Sequence, residues 1–190
     1  MQADKKTISA WAFYDWANSA YPLVITTAIF PMFYEAVTSS TVNGEESDVL
    51  IFFGRHFRNT EIYSYVMAFS FLVVCFISPI LSGVADYTDQ KKKFLKFFCY
   101  LGAVSCAALY FFDPSHLEIS MIPVALASIG FWGSMVFYNA YLPELVPTEM
   151  QDAASAKGYA LGYIGSSILL IGNLIGIMVF DMNPKYAFLS

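Results

Sequence analysis

Charge is what this chain has least of. Only 13% of its 190 residues are Asp, Glu, Lys or Arg, about half the roughly 25% of a soluble domain. That supply cannot clothe an ordinary water-facing surface, so the composition points to the membrane. Positive charge is scarcer still. Lys and Arg number 10 against 15 acids, a net charge of −5, which leaves no basic face for nucleic acid. Histidine occurs only at His56 and His116, both in loops. No paired acids or metal-ligand spacing lies at a common depth, which argues against an intramembrane enzyme and against any metal or cofactor. Cys75, Cys99 and Cys106 are odd in number, fit no zinc or redox spacing, and read as small packing residues. No nucleotide-binding loop appears. No cleavable signal peptide is evident: Lys5 and Lys6 imitate its basic start, but Asp15 and Asn18 interrupt the apolar core. The alternating period of a membrane barrel is missing too.

Apolar residues are abundant. The chain is 57% hydrophobic and 18% aromatic, with a mean hydropathy of +0.55. A membrane helix needs about 20 mostly apolar residues. Runs of that kind cover about residues 8–37, 62–84, 94–112, 117–142 and 158–180. Asn183-Pro184 then reads as a turn or helix start, and "YAFLS" as the opening of a sixth span from about residue 184. The expected fold class is an all-α integral membrane bundle over residues 1–190, five complete helices plus the start of a sixth. Seven lysines fall on one side (Lys5, Lys6, Lys91, Lys92, Lys93, Lys96, Lys157) and three cations on the other (Arg55, Arg58, Lys185). The positive-inside rule puts the N-terminus and "DQKKKF" in the cytoplasm and the acidic loop Asn43–Asp48 outside.

Polar residues inside the spans mark candidate sites. The first span opens "WAFYDWANSAY". Asp15, Asn18, Ser19, Pro22 and Thr26 follow at i, i+3, i+4, i+7 and i+11, which places them on one helical face. That stripe is either a substrate or proton site, or a polar network at a shallow cytoplasmic end, since Asp15 lies about 10 Å up the helix from Ile8. Pro22 and Pro31 can kink the helix and free carbonyls. In the fourth span Asn139 stands in an apolar run between Tyr138 and Tyr141, and Pro143-Glu144 marks the end. Asn139 is a cavity candidate, and Glu144 a salt-bridge or gating partner at the surface. No Lys or Arg lies in this span to anchor an anionic substrate. In the fifth span Gly158, Gly162, Gly165, Gly172 and Gly176 share a face suited to close helix packing, with Asn173 beside it. The third span carries no acid or amide and reads as a peripheral, lipid-facing helix.

Between the second and third spans stands "SGVADYTDQKKKF". An acid at a helix end opposes the dipole, so Asp86 needs a partner, from a lysine of the turn or a neighbouring helix N-terminus. This grammar resembles the loop signature of the major facilitator superfamily. Ser82 stands for its first glycine with Gly83 beside it, Asp86 for its acid, and Lys91 and Lys92 for its basic residues. Tyr87, Asp89 and Gln90 depart from the pattern. "FYDWANSAY" at 13–21 resembles the first-helix signature of the vacuole-effluxer-like branch, which includes the autophagy-related amino-acid effluxer of fungal vacuoles. "ADY" at 85–87, "FYNAYLPEL" at 137–145 and "SAKGYALGYIGS" at 155–166 are similar to that branch as well.

The resemblance implies a twelve-helix secondary transporter built from two six-helix halves, with substrate passing between them at the midplane. This chain would be an N-terminal fragment that supplies most of the first half, with the C-terminal half absent. The first and fourth helices would line the cavity, which raises Asp15, Asn18, Ser19, Thr26, Tyr138 and Asn139 as lining candidates. Asp15 would bind a substrate ammonium group or a proton. Asp86 and its lysines would latch the cytoplasmic gate. The expected partners are the lipid bilayer, the missing half, and a small solute, with amino acids as the class the fungal member suggests. The expected location is the bacterial inner membrane. On this reading the chain alone does not transport, and its glycine face lacks a partner. The competing class is a non-transporting membrane scaffold or one subunit of a split protein. The downstream genomic sequence separates the two.

Overall fold

The computed structural model describes residues 5–42, 45–88 and 90–190. Asn43 and Gly44 of the acidic loop and Asp89 of the lysine loop therefore lie outside the described residues. Five helices are long and apolar enough to cross a membrane: Lys6–Thr38, Asn59–Tyr87, Lys91–Phe111, Pro114–Leu145 and Thr148–Phe180. Lipid offers backbone groups no partner, so each spanning segment bonds within itself. The first span is composite, with α1 (Lys5–Asn18), a π-helical stretch (Tyr21–Ile29) and α2 (Phe30–Thr38). The others are α3 (Asn59–Thr88), α4 (Lys91–Ala108), α5 (Leu117–Leu145) and α6 (Thr148–Phe180). Asp181, left-handed at φ 53°, ends α6. A 3₁₀ turn, Pro184–Leu189, follows, capped by the Asn183 side chain, which accepts the Lys185 N–H at 3.0 Å.

The connection between the first two spans is more ordered than an acidic loop. Strands β1 (Ser40–Val42) and β2 (Glu45–Ser47) pair antiparallel, as do β3 (Val49–Phe52) and β4 (Arg55–Arg58). Phe53 and Gly54 join the second pair with φ values of 48° and 74°. Two positive φ values match the twist of a tight hairpin. The left-handed Phe53 is held by Glu118 of α5, which accepts its N–H at 3.1 Å. Leu50, Phe52 and Phe57 pack onto the core at this end of the bundle.

That core is aromatic. Phe30 meets the rings of Tyr34, Phe112 and Phe188 at 5.7 to 5.9 Å. Lys185 closes it, donating to the Phe112 carbonyl at 2.8 Å while its ammonium sits 5.6 Å over the Phe33 ring.

α5 is the central post: half of its apolar window is buried, against 6% for α3. α4 is not simply peripheral. Phe97, Tyr100 and Val104 are exposed on one face, but the other face locks to α5 backbone to backbone. A Cβ on Gly130 would stand 2.4 Å from the Gly102 nitrogen and 2.6 Å from its Cα. The first three glycines of the α6 face have their partner within this chain. Side chains at Gly158, Gly162 and Gly165 would collide with or crowd Trp11, Asp15, Trp16 and Ser19 of the first span. The face is not uniform, because Gly176 meets Met182 and Gly172 meets nothing.

Candidate functional site: a cleft with a buried acid and a charged latch

The first span, α5 and α6 enclose an open cleft of about 450 Å³. Asp15, Asn18, Ser19, Pro22, Leu23 and Thr27 line it from the first span. Phe131, Trp132 and Met135 line it from α5, and Tyr159, Tyr163 and Ser166 from α6. Asp15 is 4% exposed. Its Oδ2 would lie 3.2 Å from a Cβ on Gly162, a tight contact, and 3.5 Å from one on Gly158, an ordinary one, so α6 packs closely on the carboxylate. Among the described residues no cation pairs with Asp15. An unpaired carboxylate withdrawn from water is costly.

Neighbouring contacts fix its level in the bundle. Trp11 stacks on Tyr138, centroids 4.4 Å apart, and its indole donates to the Tyr138 carbonyl at 3.1 Å. Asn18 donates to the Met135 sulfur at 3.1 Å. Asp15 therefore lies level with residues 135–138 of α5. Glu144 at the helix end follows those by six to nine residues, which places Asp15 about 9–14 Å inward.

The other candidates divide. Asn18 and Ser19 are on the cleft wall. Thr26 is not: it lines a small cavity with Tyr21, Phe30 and Tyr63, and Thr27 takes its place on the cleft. The i+11 spacing assumes an unbroken α-helix, and the π stretch adds a residue. Tyr138 stands behind the wall, 3% exposed, with its hydroxyl unpartnered beside the Gly158 notch. Asn139 is exposed, one turn beyond Met135 on the same α5 face. Tyr159, Tyr163 and Ser166 lie outside the sequence-based candidates, although their i, i+4, i+7 spacing on α6 is a face signal.

A second cavity, about 390 Å³, lies between the first span, α4 and α5. Tyr14, Asn18 and Gly130 line it, with Phe188, Leu189 and Ser190 at its edge.

At the C-terminal end of α5 is a charged latch. Lys91 reaches Asp86 at 2.8 Å and also bonds the Glu144 carboxylate. Asp86 at the C-terminal end of α3 and Lys91 at the first turn of α4 each oppose their helix dipole, so each supplies what the other lacks. Lys92 is exposed and takes no part. Ser82 is half-buried, and a Cβ on Gly83 would meet nothing. The Lys157 ammonium bonds the Ser9 hydroxyl at 3.2 Å, tying α6 to α1 at the same end.

Fold and site together define an all-α membrane bundle that holds a largely apolar cleft with a buried carboxylate in its wall, and a charge-latched loop. The chain belongs to the family described as vacuole effluxer Atg22 like, which matches residues 3–187. It is 37% identical over 180 residues to an uncharacterised MFS-type transporter, YxiO, of Bacillus subtilis, covering 94% of this chain and 39% of that protein. It is 22% identical over 176 residues to autophagy-related protein 22 of Coccidioides immitis, covering 76% of this chain and 29% of the relative. The autophagy-related protein 22-1 of Aspergillus clavatus is 27% identical over 126 residues, 65% of this chain and 21% of that protein. The chain thus spans well under half the length of these relatives. No solved structure matches it.

Proposed function

We propose that this chain is the N-terminal part of a major-facilitator-type secondary transporter, moving a small solute by alternating access. The observation that carries the reading is Asp15, a buried carboxylate with no cation partner among the described residues, set in the wall of a largely apolar cleft open along one side of the bundle. A vacant carboxylate there suits a group that arrives and leaves, either a substrate ammonium or a proton. Amino acids are the class to test first, since they carry the ammonium and the family description names an effluxer. The family match and the name of the Bacillus relative support the class. The second half of the carrier, beyond these residues, closes the other side of the cleft. The lysine loop and the N-terminus face the cytoplasm of a bacterial inner membrane, and an ion gradient or the solute's own gradient drives the cycle.

The test begins with the locus. A continuing frame, or an adjacent one, that encodes six more spans is expected, and an unrelated gene directly after a sound stop codon overturns the reading. Reconstitution of the complete protein with a panel of labelled amino acids should then show uptake or counterflow above empty vesicles. In this reading Asp86, Lys91 and Glu144 form the cytoplasmic latch. Lys91→Ala removes both contacts at once and should shift the complete transporter toward its cytoplasm-open state. Cysteine accessibility at the two mouths measures that shift, and an unaltered ratio sinks the latch.

A further inference from the structure

The first span changes helical register partway, and a residue on another helix fits the change. From Tyr21 to Ile29 it winds as a π-helix, and the Phe30 N–H returns five residues to the Ile25 carbonyl. The next residue, Pro31, has no N–H. With five-residue pairing, the carbonyl left without its backbone donor is that of Thr26. Tyr63 of α3 fills that vacancy: its hydroxyl donates to the Thr26 carbonyl at 3.1 Å. The threonine hydroxyls reinforce the wide winding. Thr26 donates to the Tyr21 carbonyl at 3.3 Å and Thr27 to the Pro22 carbonyl at 2.6 Å, each five residues back. With ordinary α pairing, Pro31 would instead orphan the Thr27 carbonyl, and the Thr26 carbonyl that Tyr63 meets would already hold a backbone donor.

We propose that Tyr63 is a positioning residue. By donating to the Thr26 carbonyl it holds the π register that sets Thr27, and not Thr26, on the cleft wall as a specificity-determining hydroxyl. The assignment rests on the reading of the cleft as a solute path, but its geometry is measurable without transport.

The experiment uses the 190-residue chain in membranes, with Cys75, Cys99 and Cys106 replaced by serine or alanine, and single Thr26→Cys or Thr27→Cys variants. A small water-soluble methanethiosulfonate reagent should label position 27 much faster than position 26. Tyr63→Phe keeps the ring and removes only the hydroxyl. It should shrink that rate ratio about tenfold, the scale of one lost hydrogen bond to a buried carbonyl. Pro31→Ala restores the missing N–H, so in that background Tyr63→Phe should no longer move the ratio. Equal labelling at both positions overturns the proposal, as does a ratio indifferent to Tyr63→Phe, or one equally sensitive with and without Pro31. If the ratios behave as expected and the complete protein moves no solute, the transport reading fails while the positioning role stands. If the complete protein transports, Thr27→Val should alter the ranking of its substrates and Thr26→Val should not. The reverse outcome overturns the specificity role.

Discussion

Gly130→Ala should destabilise the isolated chain severely, while Gly172→Ala on α6 should leave it near wild type. The two substitutions add the same methyl group to the interior of a membrane helix. At Gly130 the new carbon lands 2.4 Å from the Gly102 nitrogen, 2.6 Å from its Cα and 2.9 Å from the Phe98 carbonyl oxygen. All three are backbone atoms, so no side chain can rotate away, and α4 must move off α5 along the seam. Overpacking typically costs about 1–3 kcal/mol where side chains can adjust, and more where they cannot. At Gly172 a Cβ meets nothing, and alanine is the better helix former by roughly 1 kcal/mol in water. Gly102→Ala is an internal control across the same seam, because its Cβ would meet ordinary contacts of 3.5 Å or more. Thermal midpoints of the three variants in detergent order them: Gly172→Ala at or above wild type, Gly102→Ala slightly below, Gly130→Ala far below or already aggregated. A Gly130→Ala chain that melts with wild type would mean that α4 and α5 are not in backbone contact.

Asp15→Asn, made in a complete carrier with this sequence as its N-terminal part, should abolish transport and leave membrane expression intact. The amide is nearly isosteric, so the packing against Gly158 and Gly162 survives. What goes is the negative charge. Removing one partner of a buried charge pair costs about 3–5 kcal/mol, more than a hundredfold in affinity for an ammonium substrate. If Asp15 carries a proton instead, the asparagine mimics its neutral state, and net transport stops while solute exchange persists. Both outcomes support the site, and the exchange assay tells them apart. Wild-type net transport in the variant removes Asp15 from the mechanism.

Much of the architecture is legible from residues alone, because hydropathy is a strong signal over 20 residues and lipid leaves helices as the economical answer. The stripe from Asp15 to Ser19 is legible for the same reason, since a polar residue in a span has few places to face. Three features are not legible, each for a definite physical cause. The hairpins over 40–58 are short and set in a polar connection, where a membrane-scale window averages them away. The Gly102–Gly130 contact joins two helices that each carry a single unremarkable glycine at that point, and only their crossing gives the pair meaning. The exchange of Thr27 for Thr26 on the cleft wall depends on winding, and periodicity counted at 3.6 residues per turn cannot register one added residue. The partner of Asp86 lay between those cases: its helix-end position demands a cation, but only the fold shows one lysine serving both Asp86 and Glu144.

α4 carries one more consequence. Its 18 residues span about 27 Å, and the 3₁₀ turn Leu109–Phe111 adds about 6 Å. The sum barely exceeds a hydrocarbon thickness of about 30 Å. α6, with 33 residues, reaches about 50 Å and can lean or protrude freely. α4 has no such slack. In a bilayer of that thickness it would serve as the bundle's plumb line, with Lys91 toward one headgroup plane and Asp113 toward the other. Because α4 is fused to α5 at Gly130, every residue counted along α5 inherits an absolute height in the bilayer. A thicker membrane would strain this short helix first, and would draw the latch inward before it disturbed the cleft.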